Sequence, residues 1–364
     1  NVLMKKPKRM DNFHESIFEI NLKYLKQNFD FLKKKIKPKT KIIAVVKAFA
    51  YGHGDIKIAQ TLEKLNVDAL WVADFEEGVI LRKNGIGIPI IIANTSPKSI
   101  EQILEYKLDV VVYNFRVLNE LISKNQKINI HLKFNCGMNR FGFSFDEISE
   151  IKAKLTNAKN IKISSICSHL SSSRDKDKDE ITNLQLKNFK KISSSFSDVQ
   201  CKHILNTSGV IRFSDHQYSA VRLGIGLFGV HKIKNLKPIG SLSTTISQIR
   251  TIYKNDIIGY GGRFKAKKKM KIGIVPFGYA DGLDRKLGNG NGTLYVGGFD
   301  CRILGEISMD SCVIDLSKTA AKEGDRVEIF GEHNNIYSIC NKIESIPYEF
   351  LSKINRRIKR VYIN

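Results

Sequence analysis

Proline is scarce, with 7 in 364 residues, tryptophan occurs once, and no apolar run approaches the roughly 18 residues that span a bilayer. A collagen-like or disordered chain is thereby excluded, as is a membrane-spanning helix. The six cysteines, Cys136, Cys167, Cys201, Cys301, Cys312 and Cys340, form no C-x-x-C pair, so neither a zinc knuckle nor a disulfide framework is expected. They read as reduced thiols, mainly in the core, and no metal site is expected. The opening "NVLMKKPKRMDNF" is basic but lacks an apolar h-region, so it is not a secretory signal, and a cytoplasmic protein is expected. Acidic residues are also few, 36 against 60 Lys and Arg, for a net charge of +24. Such an excess raises a nucleic-acid partner. Yet it is spread along the chain, in short clusters such as "FLKKKIKPKTK" and "NRRIKR", without a recognition motif. A lysine-rich surface, with no nucleic-acid or membrane partner, is the preferred reading.

The length suits a large barrel plus a second domain. After the amphipathic "NLKYLKQNFDFLKKKI", short apolar runs alternate with helix-like segments: "KIIAVVK", "ALWVA", "IPIIIAN", "LDVVVYN", "INIHLKFN", "IKISSICSHL", "HILNTS" and "YSAVRLG". Eight such strands point to a closed (β/α)8 TIM-like barrel, here assigned to residues 14–238. Beyond it, "TTISQIRTIY", "MKIGIVPF", "GTLYVGG", "CRILGEI", "SCVIDLS" and "DRVEIFG" follow one another with one helical candidate, "IYSICNKI". This reads as a separate, mainly β, antiparallel domain over 239–364, on which residues 1–13 are candidates to pack.

In such a barrel, chemistry gathers at the C-terminal strand ends, and phosphate is often held after strands seven and eight. Lys47 ends the first strand here, Lys133 and Asn135 the fifth, His169 the sixth, Asn206 and Thr207 the seventh, and Arg222 the eighth. Alternation in "IHLKFN" places His131, Lys133 and Asn135 on one face. Inside the barrel Lys133 needs a charge partner or a modification; at the rim it snorkels out. "GMNRFGF" brings Arg140 near. "RLGIGLFG" carries G-x-G-x-x-G at Gly224, Gly226 and Gly229, but no Asp or Glu lies between Gly229 and Asp256 to bind a ribose. The same glycines, after the eighth strand and beside the hydroxyls of "NTSGV", suit a single phosphate. An imine-forming lysine beside a phosphate site is what pyridoxal 5'-phosphate requires.

At this point the chain resembles the alanine racemase family, the fold-type III pyridoxal phosphate enzymes, from about "HESIFEINLKYLKQNF" to its C-terminus. "AVVKAFAYGHG" is similar to the family's cofactor-lysine motif, which implies that Lys47 carries the cofactor and Tyr51 reaches its phosphate. "HLKFNCGMNRFGF" implies that Lys133, carbamylated in some members, orients Arg140 toward the substrate carboxylate. "SHLSSSRD" implies His169 against the pyridine ring. "NTSGV" and "RLGIGLFG" imply Asn206, Thr207, Gly224 and Ile225 at the phosphate and Arg222 at the pyridine nitrogen. "VPFGYADGLDR" implies Tyr279 as a second catalytic base, and "EISMDSC" implies Met309 and Asp310 on the substrate side. Phe49, Asn135, Cys136, Ser308 and Arg356 depart from common family patterns.

The resemblance implies racemisation of alanine by two bases, Lys47 on the D face and Tyr279 on the L face, supplying D-alanine for cell-wall peptidoglycan. It also implies a homodimer with shared active sites. A tyrosine base needs nearby cations, a part assigned to His169 with Arg222. The rivals are a racemase of serine or of a broader amino-acid set, a non-catalytic pyridoxal phosphate carrier, which would lack the β domain, and a nucleic-acid-binding protein.

Overall fold

The computed structural model describes residues 14–364, so the expected packing of residues 1–13 lies outside the described residues. The chain divides into a unit of Leu22–Pro238 and a second unit in which the described residues up to Asn21 join Ile239–Asn364. The barrel boundary expected at residue 14 is therefore corrected to Leu22. The cause is β1 (Ile17–Asn21), whose alternation buries Phe18 and Ile20 and which takes its hydrogen-bond partners from the β-rich unit.

The barrel strands are β2 (Lys41–Val45), β3 (Ala69–Val72), β4 (Ile90–Ile92), β5 (Asp109–Val112), β6 (Ile128–Lys133), β7 (Ile161–Cys167), β8 (Lys202–His203) and β9 (Ala220–Leu223). All pair in parallel, in the order β8-β7-β6-β5-β4-β3-β2-β9. Runs such as Ile90–Ile92 are buried throughout because helices cover the outer face and side chains fill the inner one. No strand ladder joins β8 to β9, since β8 has only two residues, yet the seam is bridged where Arg222 N–H donates to Leu205 O at 2.9 Å and Ser219 N–H to Lys202 O at 3.3 Å. The result is a nearly closed eight-stranded TIM-like barrel.

Three strand-to-helix turns use the same device. Asp74, Asn114 and Asn206 each stand just past a strand and accept the N–H three residues on, from Glu77, Val117 and Gly209. These caps satisfy helix-start donors and fix where the chain leaves the C-terminal mouth.

The second unit contains β10 (Gly240–Thr245), β11 (Gln248–Ile252), β12 (Ile257–Ile258), β13 (Phe264–Lys265), β14 (Met270–Val275), β15 (Thr293–Val296), β16 (Phe299–Leu304), β17 (Cys312–Asp315), β18 (Arg326–Phe330) and β19 (Lys359–Ile363). Its main sheet runs β11-β14-β17-β16-β15-β18-β10-β1-β19, with β12 and β13 forming a separate pair. The expected antiparallel arrangement needs one correction: β1 pairs in parallel with β19, because the strand preceding the barrel inserts beside the last strand of the chain. Phe18, Phe330 and Phe350 meet edge-on beneath this sheet, at 5.7 and 5.8 Å between ring centroids. Among the described residues no helix is long and apolar enough to cross a membrane.

Candidate active site

The first barrel strand, β2, ends at Val45, two residues before Lys47, and the chain then does something uncommon. Ala48, Phe49, Ala50 and Tyr51 all have positive φ, between 50° and 56°, forming a left-handed turn. Each such residue costs about 1–2 kcal/mol without a glycine. Local bonds hold the turn: Ala50 N–H to Val46 O at 2.9 Å, Gly52 N–H to Ala48 O at 3.0 Å and Gly54 N–H to Phe49 O at 2.9 Å. The Glu77 carboxylate, capping from the next strand–helix unit, accepts Ala48 N–H at 2.6 Å and Ala73 N–H at 2.7 Å. Burial raises the Glu77 pKa, and these two bonds oppose that rise.

The turn presents Lys47 to the mouth and seats Tyr51 against Phe228, with ring centroids 5.0 Å apart. The Tyr51 hydroxyl lies over Gly224, where a Cβ would stand only 2.8 Å from it. At Gly226 a Cβ would meet the Thr207 methyl at 2.4 Å. Both glycines therefore permit a close approach that any side chain would fill. Gly224 N–H donates to Thr207 Oγ1 at 3.1 Å, whereas the N–H groups of Ile225 and Gly226 meet no acceptor among the described residues. Asn206 caps this corner, accepting Gly209 N–H at 2.9 Å and the Ser173 hydroxyl at 2.8 Å.

Lys133 and Arg222 are buried cations in the same mouth. Arg222 donates only to neutral acceptors: the Ser168 carbonyl at 2.5 Å, the Ile204 carbonyl at 3.0 Å, His169 Nδ1 at 3.3 Å and His203 Nδ1. Its Nε meets no acceptor among the described residues. Burial pushes the guanidinium pKa down to about 10, with Arg140 adding to the fall. Burial likewise lowers Lys133 to about 8, Arg222, Arg140 and Lys47 pulling the same way and the Cys167 thiol opposing. Lys47 reaches solvent, but crowding around its ammonium, then Arg140, lowers its pKa against the pull of Glu77. Loss of hydration, then the same cations, holds His169 well below the ordinary histidine value, so its ring is neutral. The positive charge once expected of His169 is therefore corrected; of that pair only Arg222 carries charge.

Asn135 falls past the end of β6 rather than on its inner face. It organises the next turn, accepting the N–H of Gly137 and of Asn139 at 3.0 Å each, and so presents the exposed Arg140. In the second unit Tyr279 is exposed (42 %). Its turn hangs on the neighbouring loop, Tyr279 N–H to Ser308 O at 3.1 Å and Ala280 N–H to Met309 O at 2.9 Å. A Cβ on Gly278 would strike both carbonyls at 2.3 Å. Arg357, which sequence reasoning missed, clamps this pair of loops by donating to Asp281 and Asp310 at 2.7 Å each. Glu77 was missed too; its sign in the sequence was an acid three residues past the helix cap Asp74 that follows a strand.

Family comparison covers nearly all of this architecture. Residues 20–232 match the model for the N-terminal domain of alanine racemase and residues 239–362 that for its C-terminal domain.

The chain belongs to the alanine racemase family.

Among alanine racemases, alanine racemase 1 of Caldanaerobacter subterraneus subsp. tengcongensis is 34% identical, over 97% of this chain and 96% of its own length. The alanine racemase of Clostridium difficile 630 superposes with a TM-score of 0.91 at 30% identity, covering 96% of each chain. That of Bartonella henselae, described with covalently bound pyridoxal phosphate, gives 0.88 at 28% identity, over 96% of this chain and 99% of that one.

Because the left-handed turn depends on a carboxylate accepting two N–H groups, Glu77→Gln replaces one acceptor with a donor facing a donor. It should destabilise the barrel unit by about 1–3 kcal/mol in urea unfolding and speed amide exchange at Ala48, whereas Glu76→Gln on the exposed neighbour leaves both unchanged. Equal protection of Ala48 in the Glu77 variant would show that the turn stands without it.

Proposed function

We propose that this protein is a pyridoxal phosphate-dependent racemase that interconverts L- and D-alanine. The observation that carries the reading is the barrel mouth: Lys47, Lys133, Arg140 and Arg222 converge there, and the one carboxylate that pulls on Lys47, Glu77, is turned toward the backbone. Such a mouth attracts an anionic cofactor and a carboxylate substrate.

The residues present fit the cofactor. The N–H groups of Ile225 and Gly226, beside the hydroxyls of Tyr51 and Thr207, suit a phosphate, with Asn206 holding that corner in place. Arg222 Nε–H remains as a donor for a ring nitrogen, and His169 offers a neutral face to the ring. When bound, pyridoxal phosphate supplies an electron-accepting ring that acidifies the α-hydrogen of an amino acid. Arg222, itself a cation, would disfavour a proton on that ring nitrogen. Lys47, with its lowered pKa, exchanges a proton at Nζ on one face of the α-carbon, and Tyr279 Oη does so on the other. Arg140 pairs with the substrate carboxylate, and Met309 borders the substrate with Asp310 holding its loop through Arg357.

Tyr279 and Met309 stand exposed on a turn held by Arg357, as a face built to complete another chain's site would. We assign the protein as a homodimer in which each site takes Lys47 from one chain and Tyr279 from its partner. Six free thiols, five of them buried, suit a reducing cytoplasm.

Purified protein should racemise L-alanine faster than L-serine or L-lysine by chiral chromatography, and borohydride reduction should fix the pyridoxyl group on the Lys47 peptide. Label on Lys133, or a preference for another amino acid, overturns those assignments.

Lys133, at about 8, carries far more neutral amine at neutral pH than an ordinary lysine. Its Nζ can attack CO2, forming a C–N bond and releasing a proton, and the carbamate anion attracts Arg140 where an ammonium repels it. Holoenzyme under 13C-labelled CO2 should show one slowly exchanging carbamate resonance that Lys133→Met abolishes; its absence refutes the modification.

Mixing Lys47→Ala and Tyr279→Phe proteins under subunit exchange should restore about a quarter of wild-type activity, since about half the dimers are mixed and each has one intact site. No recovery, with exchange demonstrated, would sink the shared site.

A further inference from the structure

His131 was singled out by its place on the polar side of β6, and nothing in the racemase reading uses it. It lies deep in the barrel, buried, and its neighbours form a continuous chain of polar atoms. His131 Nδ1 is 2.6 Å from Ser165 Oγ, and Ser165 Oγ is 3.0 Å from His203 Nε2. His203 Nδ1 meets Arg222 Nη1. At the other end His131 Nε2 is 3.5 Å from Asp109 Oδ2, a long, mainly electrostatic contact, and Asn129 Nδ2 holds the other Asp109 oxygen at 3.0 Å. Strand register explains the alignment. His131 pairs with Ser165 and with Val111, two residues after Asp109 and hence on the same strand face. A register shift between Ile130 and His131 re-aims the histidine to make this line.

The polarity of the chain follows from its ends. An arginine can only donate, and an ionised carboxylate can only accept. Arg222 Nη1 therefore donates to a bare His203 Nδ1, His203 Nε2–H donates to Ser165, Ser165 O–H donates to a bare His131 Nδ1, and His131 Nε2–H points to Asp109. The His203 ring is neutral in this arrangement, and burial followed by the Arg222 charge lowers its pKa in the same sense. Asp109 opens β5, at the barrel end opposite the mouth, where it lines two clefts of about 330 and 510 Å³. The chain thus ties the guanidinium at the mouth to a carboxylate bordering solvent at the far end.

We propose that Asp109, His131 and Ser165 are positioning residues, a hydrogen-bond chain of fixed direction that holds His203 as its Nε2–H tautomer and thereby orients Arg222. That Arg222 meets the cofactor rests on the racemase reading; the chain itself does not.

The test is side-chain nitrogen NMR of holoenzyme carrying 15N-histidine, with His203 and His131 assigned from single substitutions, alongside steady-state kinetics on alanine. Both rings should show a protonated Nε2 and a bare Nδ1. Ser165→Ala, which removes one oxygen from the middle of the chain, and Asp109→Ala at its solvent end should each shift the His203 Nε2 signal. Each should lower kcat about 10-fold, the worth of one hydrogen bond, with KM for alanine little changed. Asp109→Asn keeps an acceptor and should recover most of the loss, and Lys107→Ala, in the same clefts, should change neither readout. A His203 protonated on Nδ1, or substitutions that lower only Tm, would overturn the proposal. A protein with the Nε2–H signals but no alanine turnover would sink the racemase reading and leave the chain standing.

Discussion

A full positive charge is buried in this barrel with no carboxylate against it. Arg222 is held by carbonyls and two neutral imidazoles, and the rest of the mouth follows from that choice. Burying an ion among dipoles alone is costly unless every donor is placed, which is why acceptors from two successive strand ends, those of β7 and β8, converge on one guanidinium. Burial first, and then this same charge, depresses Lys133, His169 and His203, so one arginine adds to the fall in each of its neighbours. A mouth so arranged has a standing deficit of negative charge, and an anionic cofactor removes it.

Strain is the second cost, and it is local. Four consecutive left-handed residues with side chains would unwind in an isolated peptide. The barrel over-determines them: Glu77 takes the N–H of Ala48 from outside, Phe228 packs Tyr51, and the bare surface of Gly224 admits the tyrosine hydroxyl. In the second unit the corresponding device is Arg357, which fastens the Tyr279 turn to the Asp310 loop while leaving the phenol exposed. Both arrangements present a side chain on a backbone that has been fixed beforehand, so less order must be imposed when a ligand arrives.

Much of this was legible in the chain. Short Val- and Ile-rich runs alternating with amphipathic segments specify parallel strands, because only strands covered on both faces can be apolar throughout. The position of Lys47, Lys133, His169, Asn206 and Arg222 at or near strand ends follows from the same spacing, and the motifs around them carry the family. What could not be read was anything set by partners distant in sequence. β1 looks like the start of the barrel, and only its pairing with β10 and β19 moves it to the other unit. Asn135 looks like a third inward residue of β6, but the ladder stops at Lys133 and the side chain turns to its own loop.

The sequence by itself determined the alternation of strands and helices along the barrel and the identity of the cations, because periodicity and side-chain chemistry are local properties. Tertiary structure decided their states. Whether His169 is charged, how far Lys133 falls and which nitrogen of His203 bears its proton all depend on desolvation and on groups brought close from other strands. Electrostatic free energy is set by distance and by the water that burial removes, and neither is written along the chain.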